Sequence, residues 1–417
     1  MARRSGFPEA LARAALGYGG RFVWEASRGD RHLVPLLEEA LAALPDTQRA
    51  LRARLLARLA GGPLRDDPDP GRREALSREA LEIARALDEP GTLAWVLDGR
   101  HAAIWGTATI GERLATAEEL VRTAGRIGDR EREFQGHHYR FVAMLEACDR
   151  VGVRAELQAQ VRLAEELRQP GQLAYVSCCR GTLAALEGRF DEAEELAART
   201  FEAARRAFGS VADVWVRIQR FAVLRARGRL EEILDLLERS LGDFPTYSVF
   251  RCVLAHAYNE AGREGEARSL LAELGRAGFP VAPLEERVYG LSLLADVASG
   301  LGDRSAAGRL YELLLPHAGR AAVSPPDDCT GSIDRPLGLL ATTLERWDEA
   351  EGHFRRAVEV NERIGARPWA AHARHDHARM LLARDGPGDR ERALELLATC
   401  LRTCRELGMV ALEGRCA

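Results

Sequence analysis

The sequence contains no lysine: all 59 basic residues of its 417 are arginine. That absence removes a Schiff-base amine and the P-loop lysine that holds nucleotide phosphates. Any nucleotide hydrolysis would need residues beyond this chain. Basic and acidic residues nearly balance, 59 against 63, for a net charge of −4. Such a chain offers no basic field to a phosphate backbone, which excludes direct nucleic-acid binding. No stretch approaches 18 uninterrupted apolar residues, so no membrane span is expected. The first twenty residues, MARRSGFPEALARAALGYGG, lack the apolar core of a secretory signal. The expected location is therefore cytoplasmic. The eight cysteines show neither C-x-x-C nor paired zinc-finger spacing, and read as reduced thiols packed on helices. There is no H-E-x-x-H, no G-x-S-x-G and no EF-hand loop. "GYGG" at 17–20 follows a helical segment instead of a strand, which excludes a dinucleotide loop.

Ala, Leu, Arg and Glu dominate, few β-branched runs occur, and aromatics make up only 6%. This composition favours helix throughout. It is also repetitive. "EGRFDEAEELA" at 187–197 returns as "LERWDEAEGHF" at 344–354, with weaker echoes at 227–237, 261–271, 301–311 and 387–397. Anchored on the first small or apolar residue of each second helix, the series runs Ala75, Ala115, Ala155, Ala193, Ile233, Ala267, Ala307, Ala350 and Ala393. Steps of about 40 residues are one helix–turn–helix unit. A second small residue recurs twelve positions earlier, at Ala103, Ala143, Gly181, Ala255, Ala295 and Gly338, where paired helices approach closely. Turn glycines at 188, 228, 262 and 302 fit helix ends that need positive φ. "LAHAYNEAGREGEA" at 254–267 is close to the tetratricopeptide pattern in Leu254, Ala255, Tyr258 and Ala267.

The fold expected is all-α: an α-solenoid of nine to ten tetratricopeptide-like hairpins in a right-handed superhelix. Residues 1–29 read as an N-terminal helical cap or linker and 30–417 as the array. Two stretches break the period. Residues 61–71 are rich in Pro, Gly and Asp, and 316–336 carry four prolines. The second reads as a long connection able to fold over the concave groove.

Two blocks, "LERWDEAEGHFRRAVEVNERIGARPWAAHARHDHARMLLARDGPGDRERALELL" and "ALGYGGRFVWEASRGDRHLVPLLEEALAALPDTQRALRARLLARLA", carry a family likeness. They resemble the C-terminal array of large bacterial signal-transducing ATPase regulators. In that family an ATPase module, often with a DNA-binding or nucleotide-cyclase domain, precedes the array. The resemblance covers the array part alone: the phosphate-binding loop, sensor motifs and DNA-reading helices are missing from this sequence. It implies a sensory or partner-binding array in transcriptional control.

Repeat arithmetic places the concave face about 18, 15, 11 and 8 residues before each anchor. The ligand-binding candidates are Arg100, His137, Arg140, Tyr175, Trp215, His256, Asn259, Tyr289, Asp296 and Arg335. Aromatic, arginine and histidine side chains on successive rungs suit a peptide or a small effector. His137 and Arg140 share a helix face and suit an anion. Cys400 and Cys404 form an i, i+4 pair, read as core thiols. "WAAHARHDHARM" at 369–380 concentrates metal-ligand types. At 100° per residue His372, His375 and Asp376 fall within about 100° of arc, whereas His377 lies about 160° from His375. Three ligands from one helix make a weak metal site. The segment reads as a polar face with His377 or Ala378 turned to the packing side. No metal, cofactor or catalytic residue is assigned.

The function expected is a non-catalytic binding or scaffold module with a regulatory role. It would take a peptide, a protein partner or a small effector in its groove. The alternative is an enzyme or small-molecule carrier of a specialised biosynthetic pathway. A closed cavity under 316–336 separates that alternative from an open groove. Homodimerisation is left open.

Overall fold

A computed structural model of the chain describes residues 7–18, 32–66, 70–106, 109–209 and 212–416. The boundary expected at 29/30 and part of "GYGG" lie outside them. The chain divides into two compact units, residues 1–143 with 153–173, and residues 144–152 with 174–417.

In the first unit α1 (Pro8–Tyr18) and α2 (Leu33–Ala43) pack on α3 (Arg49–Gly61) in one apolar cluster. Hairpins follow from α3 with α4 (Pro70–Ala86), α5 (Pro90–Ile104) with α6 (Ile110–Ile127), and α7 (Arg130–Glu146) with α8 (Arg150–Leu167). The caps are local chemistry. Thr109 accepts from the Glu112 amide at the start of α6, and Gly128 at φ +71° ends it.

The repeat register differs from the sequence reading in the first three hairpins. Ala75, Ala115 and Ala155 are exposed, while Arg73, Arg113 and Val153 are buried two positions earlier. From these three the 40-residue step leads directly to buried Ala193. In the first two hairpins an arginine at the packing position hides the register, and in the third Val153 is passed over for the small Ala155. Arg73 earns its place by donating to Ala60 O at 3.2 Å and Ala102 O at 2.8 Å, carbonyls at the C-terminal ends of α3 and α5.

Close helix approach is visible at Gly99. A Cβ there would lie 2.5 Å from Ala57 O and 2.9 Å from Ala57 Cβ. Gly99→Ala is expected to cost about 1–3 kcal/mol by overpacking, read as a lower urea midpoint. An unchanged midpoint would remove the close contact as the reason for glycine.

The second unit continues with α9 (Pro170–Glu187), α10 (Phe190–Phe208), α11 (Ala212–Ala226) and α12 (Leu234–Asp243). Next come α13 (Val249–Glu260), α14 (Glu264–Arg276), α15 (Arg287–Gly300) and α16 (Arg304–Leu314). The last helices are α17 (Asp334–Thr343), α18 (Trp347–Ile364), α19 (Arg367–Arg384), α20 (Asp389–Leu407) and α21 (Val410–Cys416). Among the described residues the pairs α3/α4 to α19/α20 make nine hairpins. The fold is an all-α solenoid.

Two features go beyond a simple stack. The C-terminal helices return to the start of the second unit, where Phe190 shares an apolar cluster with Cys404, Met409 and Leu412. Leu407 and Ala411 come so close to Gly188 and Gly228 that a Cβ at either glycine would sit under 3 Å from them. Both glycines also have positive φ, +85° and +69°.

The second feature gives 316–336, read as a long connection, regular structure of its own. It contains an antiparallel hairpin, β1 (Ala321–Ser324) with β2 (Asp328–Ser332), paired at Ala321–Ser332, Val323–Cys329 and Ser324–Asp328. Every residue of both strands is buried. Pro325 and Pro326 lie in the turn.

Candidate functional site

The hairpin is held from four sides of the second unit. Thr182 on α9 donates to Pro326 O, and the Asn361 carboxamide on α18 accepts from the Ser332 amide at 2.8 Å. Arg225 on α11 and the Tyr289 hydroxyl on α15 each donate to Asp328 Oδ2 at 2.8 Å. The Cys329 amide donates to the other oxygen at 2.8 Å. A buried carboxylate with three donors is fully satisfied. Burial works against the Arg225 cation, but Asp328 outweighs it and holds the guanidinium firmly protonated. Burial first, then the Asp328 charge, pushes the Tyr289 phenol well above its ordinary range.

Beside this network lies a polar cavity of about 400 Å³. Four sequence candidates line it together: His256 and Asn259 on α13, Asp296 on α15 and Arg335 on α17. His372, His375 and Asp376 on α19 line it as well, so the "WAAHARHDHARM" segment faces the site. Arg335 is the centre. Its Nη1 donates to Asp296 Oδ1 at 3.0 Å and its Nε to Asp376 Oδ2 at 2.8 Å. His375 Nδ1 sits 2.9 Å from the second Asp376 oxygen. Burial alone would raise the Asp376 carboxyl, yet Arg335 and His375 hold it well below the usual carboxylate range. The Trp369 ring meets two cations, Arg225 at 4.8 Å and Arg335 at 5.7 Å, with the His372 ring at 5.3 Å. Burial lowers the pKa of both His256 and His372, so the cavity's histidines there are neutral.

The remaining candidates lie elsewhere. Arg100 is buried in the first unit, 2.7 Å from Glu74, 3.2 Å from Glu112 and 2.7 Å from the Ser77 hydroxyl. His137 and Arg140 share one carboxylate, Glu156, at 2.6 and 2.8 Å. Tyr175 and Trp215 meet with ring centroids 4.8 Å apart, beside Phe208. Tyr289 lies beneath the hairpin with its hydroxyl on Asp328. Among the described residues no three His, Cys, Asp or Glu side chains are disposed to hold a metal ion. No described helix is long and apolar enough to cross a membrane.

Arg225, Asp328 and Trp369 belong to the site and were not among the candidates. Arg225 stands eight residues before Ile233, an inward position by the repeat arithmetic, so a signal existed. Asp328 and Trp369 had none.

His377 is turned away from the cavity and stacks on Phe354, ring centroids 5.8 Å apart, matching the packing-side placement. Burial lowers its pKa to about 4, and burial does the same to His138 in the first unit. The unfolded chain takes up these protons near pH 6.5 while the folded chain refuses them. Stability is therefore full above pH 6.5 and falls as pH drops toward 4, by about 1.4 kcal/mol per unit for fully buried His138. Urea midpoints between pH 7 and 4.5 should show this slope, reduced by one proton in His138→Leu. An equal slope in the variant would mean that His138 is not the group responsible.

No protein-family model matches the chain, and no curated protein does. One solved structure, a circular tandem repeat protein with novel repeat topology and enhanced subunit contact surfaces, aligns at 18% identity. The alignment covers 100% of this chain and 94% of that one, with a TM-score of 0.16. A likeness at that score supports no argument about fold or function.

Proposed function

We propose that the second unit is a non-catalytic binding module for a small polar molecule, taken into the cavity between α13, α15, α17 and α19. The observation that carries this reading is the lining. Arg225, Arg335, Arg379 and Arg415 face Asp296, Asp376, Glu260 and Glu264, so four cations meet four anions. A charge-balanced wall suits a neutral or zwitterionic molecule and disfavours a polyanion. The volume fits a compact ligand. The buried hairpin fills the space over Thr182, Arg225 and Tyr289, which leaves no open peptide groove past those three side chains, while the cavity itself is walled by helix residues. Helical repeat arrays are general binding scaffolds. The resemblance to regulator arrays adds that occupancy of the site would be sensed by a partner protein.

Arg379 and Asn259 test this reading, because both line the cavity and neither takes part in the Arg335 or Asp328 networks. Native mass spectrometry of gently purified protein, with thermal shifts against free amino acids, betaines and nucleosides, should find a binder. Arg379→Ala and Asn259→Ala should each weaken it at least tenfold with the unliganded Tm unchanged. Binding indifferent to both substitutions would exclude this cavity as the site.

A further inference from the structure

The last two helices bring three thiols into mutual contact. Cys400 Sγ lies 3.8 Å from Cys404 Sγ and 3.3 Å from Cys416 Sγ. All three are buried, under the apolar cover of Phe190, Met409 and Leu412. Cys400 and Cys404 are one turn apart on α20, whereas Cys416 arrives from α21.

We propose that this trio is an oxidisable latch: Cys400 and Cys416 close a disulfide that pins α21 to α20, and Cys404 assists the closure. Geometry selects the pair. Residues i and i+4 of one helix have Cβ atoms about 5–6 Å apart. A disulfide needs about 3.5–4.5 Å, so Cys400 and Cys404 cannot join without breaking the helix. Cys400 and Cys416 come from different helices and need a sulfur approach of only about 1 Å more. A helix of seven residues is held by its packing alone, so α21 can make that adjustment.

The oxidant is a small-molecule disulfide, RSSR. Burial raises the Cys416 pKa in the packed state, so Cys416, at the end of α21, opens the reaction as its thiolate when that short helix frays and exposes it. It attacks one sulfur of RSSR, forming the mixed disulfide and releasing RS⁻, which takes up the Cys416 proton. Cys400 sulfur then attacks the Cys416 sulfur and expels the second RS⁻. The Cys400 proton passes to Cys404 and on to the departing thiolate. Two cysteines lose two electrons in total, and one RSSR becomes two RSH. The hydrogen bond from Cys400 lowers the Cys404 pKa, which favours a Cys404 thiolate able to accept the Cys400 proton and pass it on.

The latch would act on more than a chain end. Arg415, the residue before Cys416, lines the polar cavity and reaches Glu260 at 3.4 Å. Ala411 packs against the turn at Gly228. Pinning α21 therefore fixes one wall of the cavity and the return of the C-terminal helices. The disulfide itself does not depend on the cavity being a ligand site.

The test equilibrates the full folded chain with mixtures of oxidised and reduced glutathione, quenches in acid, alkylates and maps peptides. The expected product has one Cys400–Cys416 link, two fewer alkylated cysteines, and at least tenfold slower hydrogen exchange over 410–416. Cys404→Ser should keep the link but form it several-fold more slowly. Cys416→Ser should lose it with an unchanged circular dichroism spectrum. A stable glutathione adduct on Cys416 with no crosslink would overturn the proposal. So would a link that forms only in urea, or one between other cysteines.

Discussion

Replacing Arg335 by alanine is expected to cost about 3–5 kcal/mol, a large part of the stability of an ordinary domain. The guanidinium is buried between Asp296 and Asp376. Its removal leaves two buried carboxylates without the guanidinium that bridges them, which is worse than never having had the pair. Arg335→Lys should fall in between, because it keeps the charge and loses the fork that reaches both acids. Arg304→Ala is the control. Its partner Glu345 is as close, 2.5 Å, but both side chains are more than half exposed, so about 0.5 kcal/mol or less is expected. The pH dependence separates the two cases further. In the native protein the Asp376 carboxyl is held below its unfolded value. Its contribution is complete above about pH 4 and is lost as pH falls through the folded value. Without Arg335 the desolvated acids shift upward, so between pH 7 and 5 the variant should lose less stability on acidification than the native protein does through its buried histidines. Urea midpoints of the three variants at both pH values decide this. A loss no larger than that of Arg304→Ala would mean that the triad is solvated and contributes little.

The repeat was legible because its signals are local. Turn glycines at 188, 228, 262 and 302 all have positive φ, as helix ends demand. Small residues mark helix contacts at Ala255 and Ala295. The register slipped where Arg73 and Arg113 occupy those positions, since burial of an arginine depends on carbonyls the sequence does not bring near. The β-hairpin was illegible for a different reason. Strands of four and five residues show no period. Their burial rests on Asp328 meeting Arg225, 103 residues away. The site was half legible. Arg335 and the 372–376 face were each singled out by their own helix periodicity. Their pairing spans 41 residues, one repeat, which arithmetic could have joined. Asp376 was weighed as a metal ligand beside His372, but its nearest cation is a guanidinium from the preceding hairpin.

Truncation of Asp328 to alanine should be comparably severe, about 3–5 kcal/mol, and its structural consequence more local. Asp328 is the acid paired with Arg225, and it also anchors β2 through Tyr289 and its neighbour's amide. Its loss strands a buried cation and frees the hairpin. Hydrogen exchange over 321–332 should accelerate at least tenfold while α20 stays protected. The loss should shrink when the cation goes too. Asp328→Leu with Arg225→Met replaces a buried pair by apolar bulk, and the coupling between the two changes should be about 1–3 kcal/mol. Tyr289→Phe removes only one donor to a charged acceptor and should cost about 1.5–3 kcal/mol. If the double variant is as unstable as the sum of its parts, the ion pair is not what holds the hairpin. The apolar contacts of Ala322, Val323 and Cys329 would then carry that role, and the cavity wall formed by Arg225 and Trp369 should survive Asp328→Ala intact.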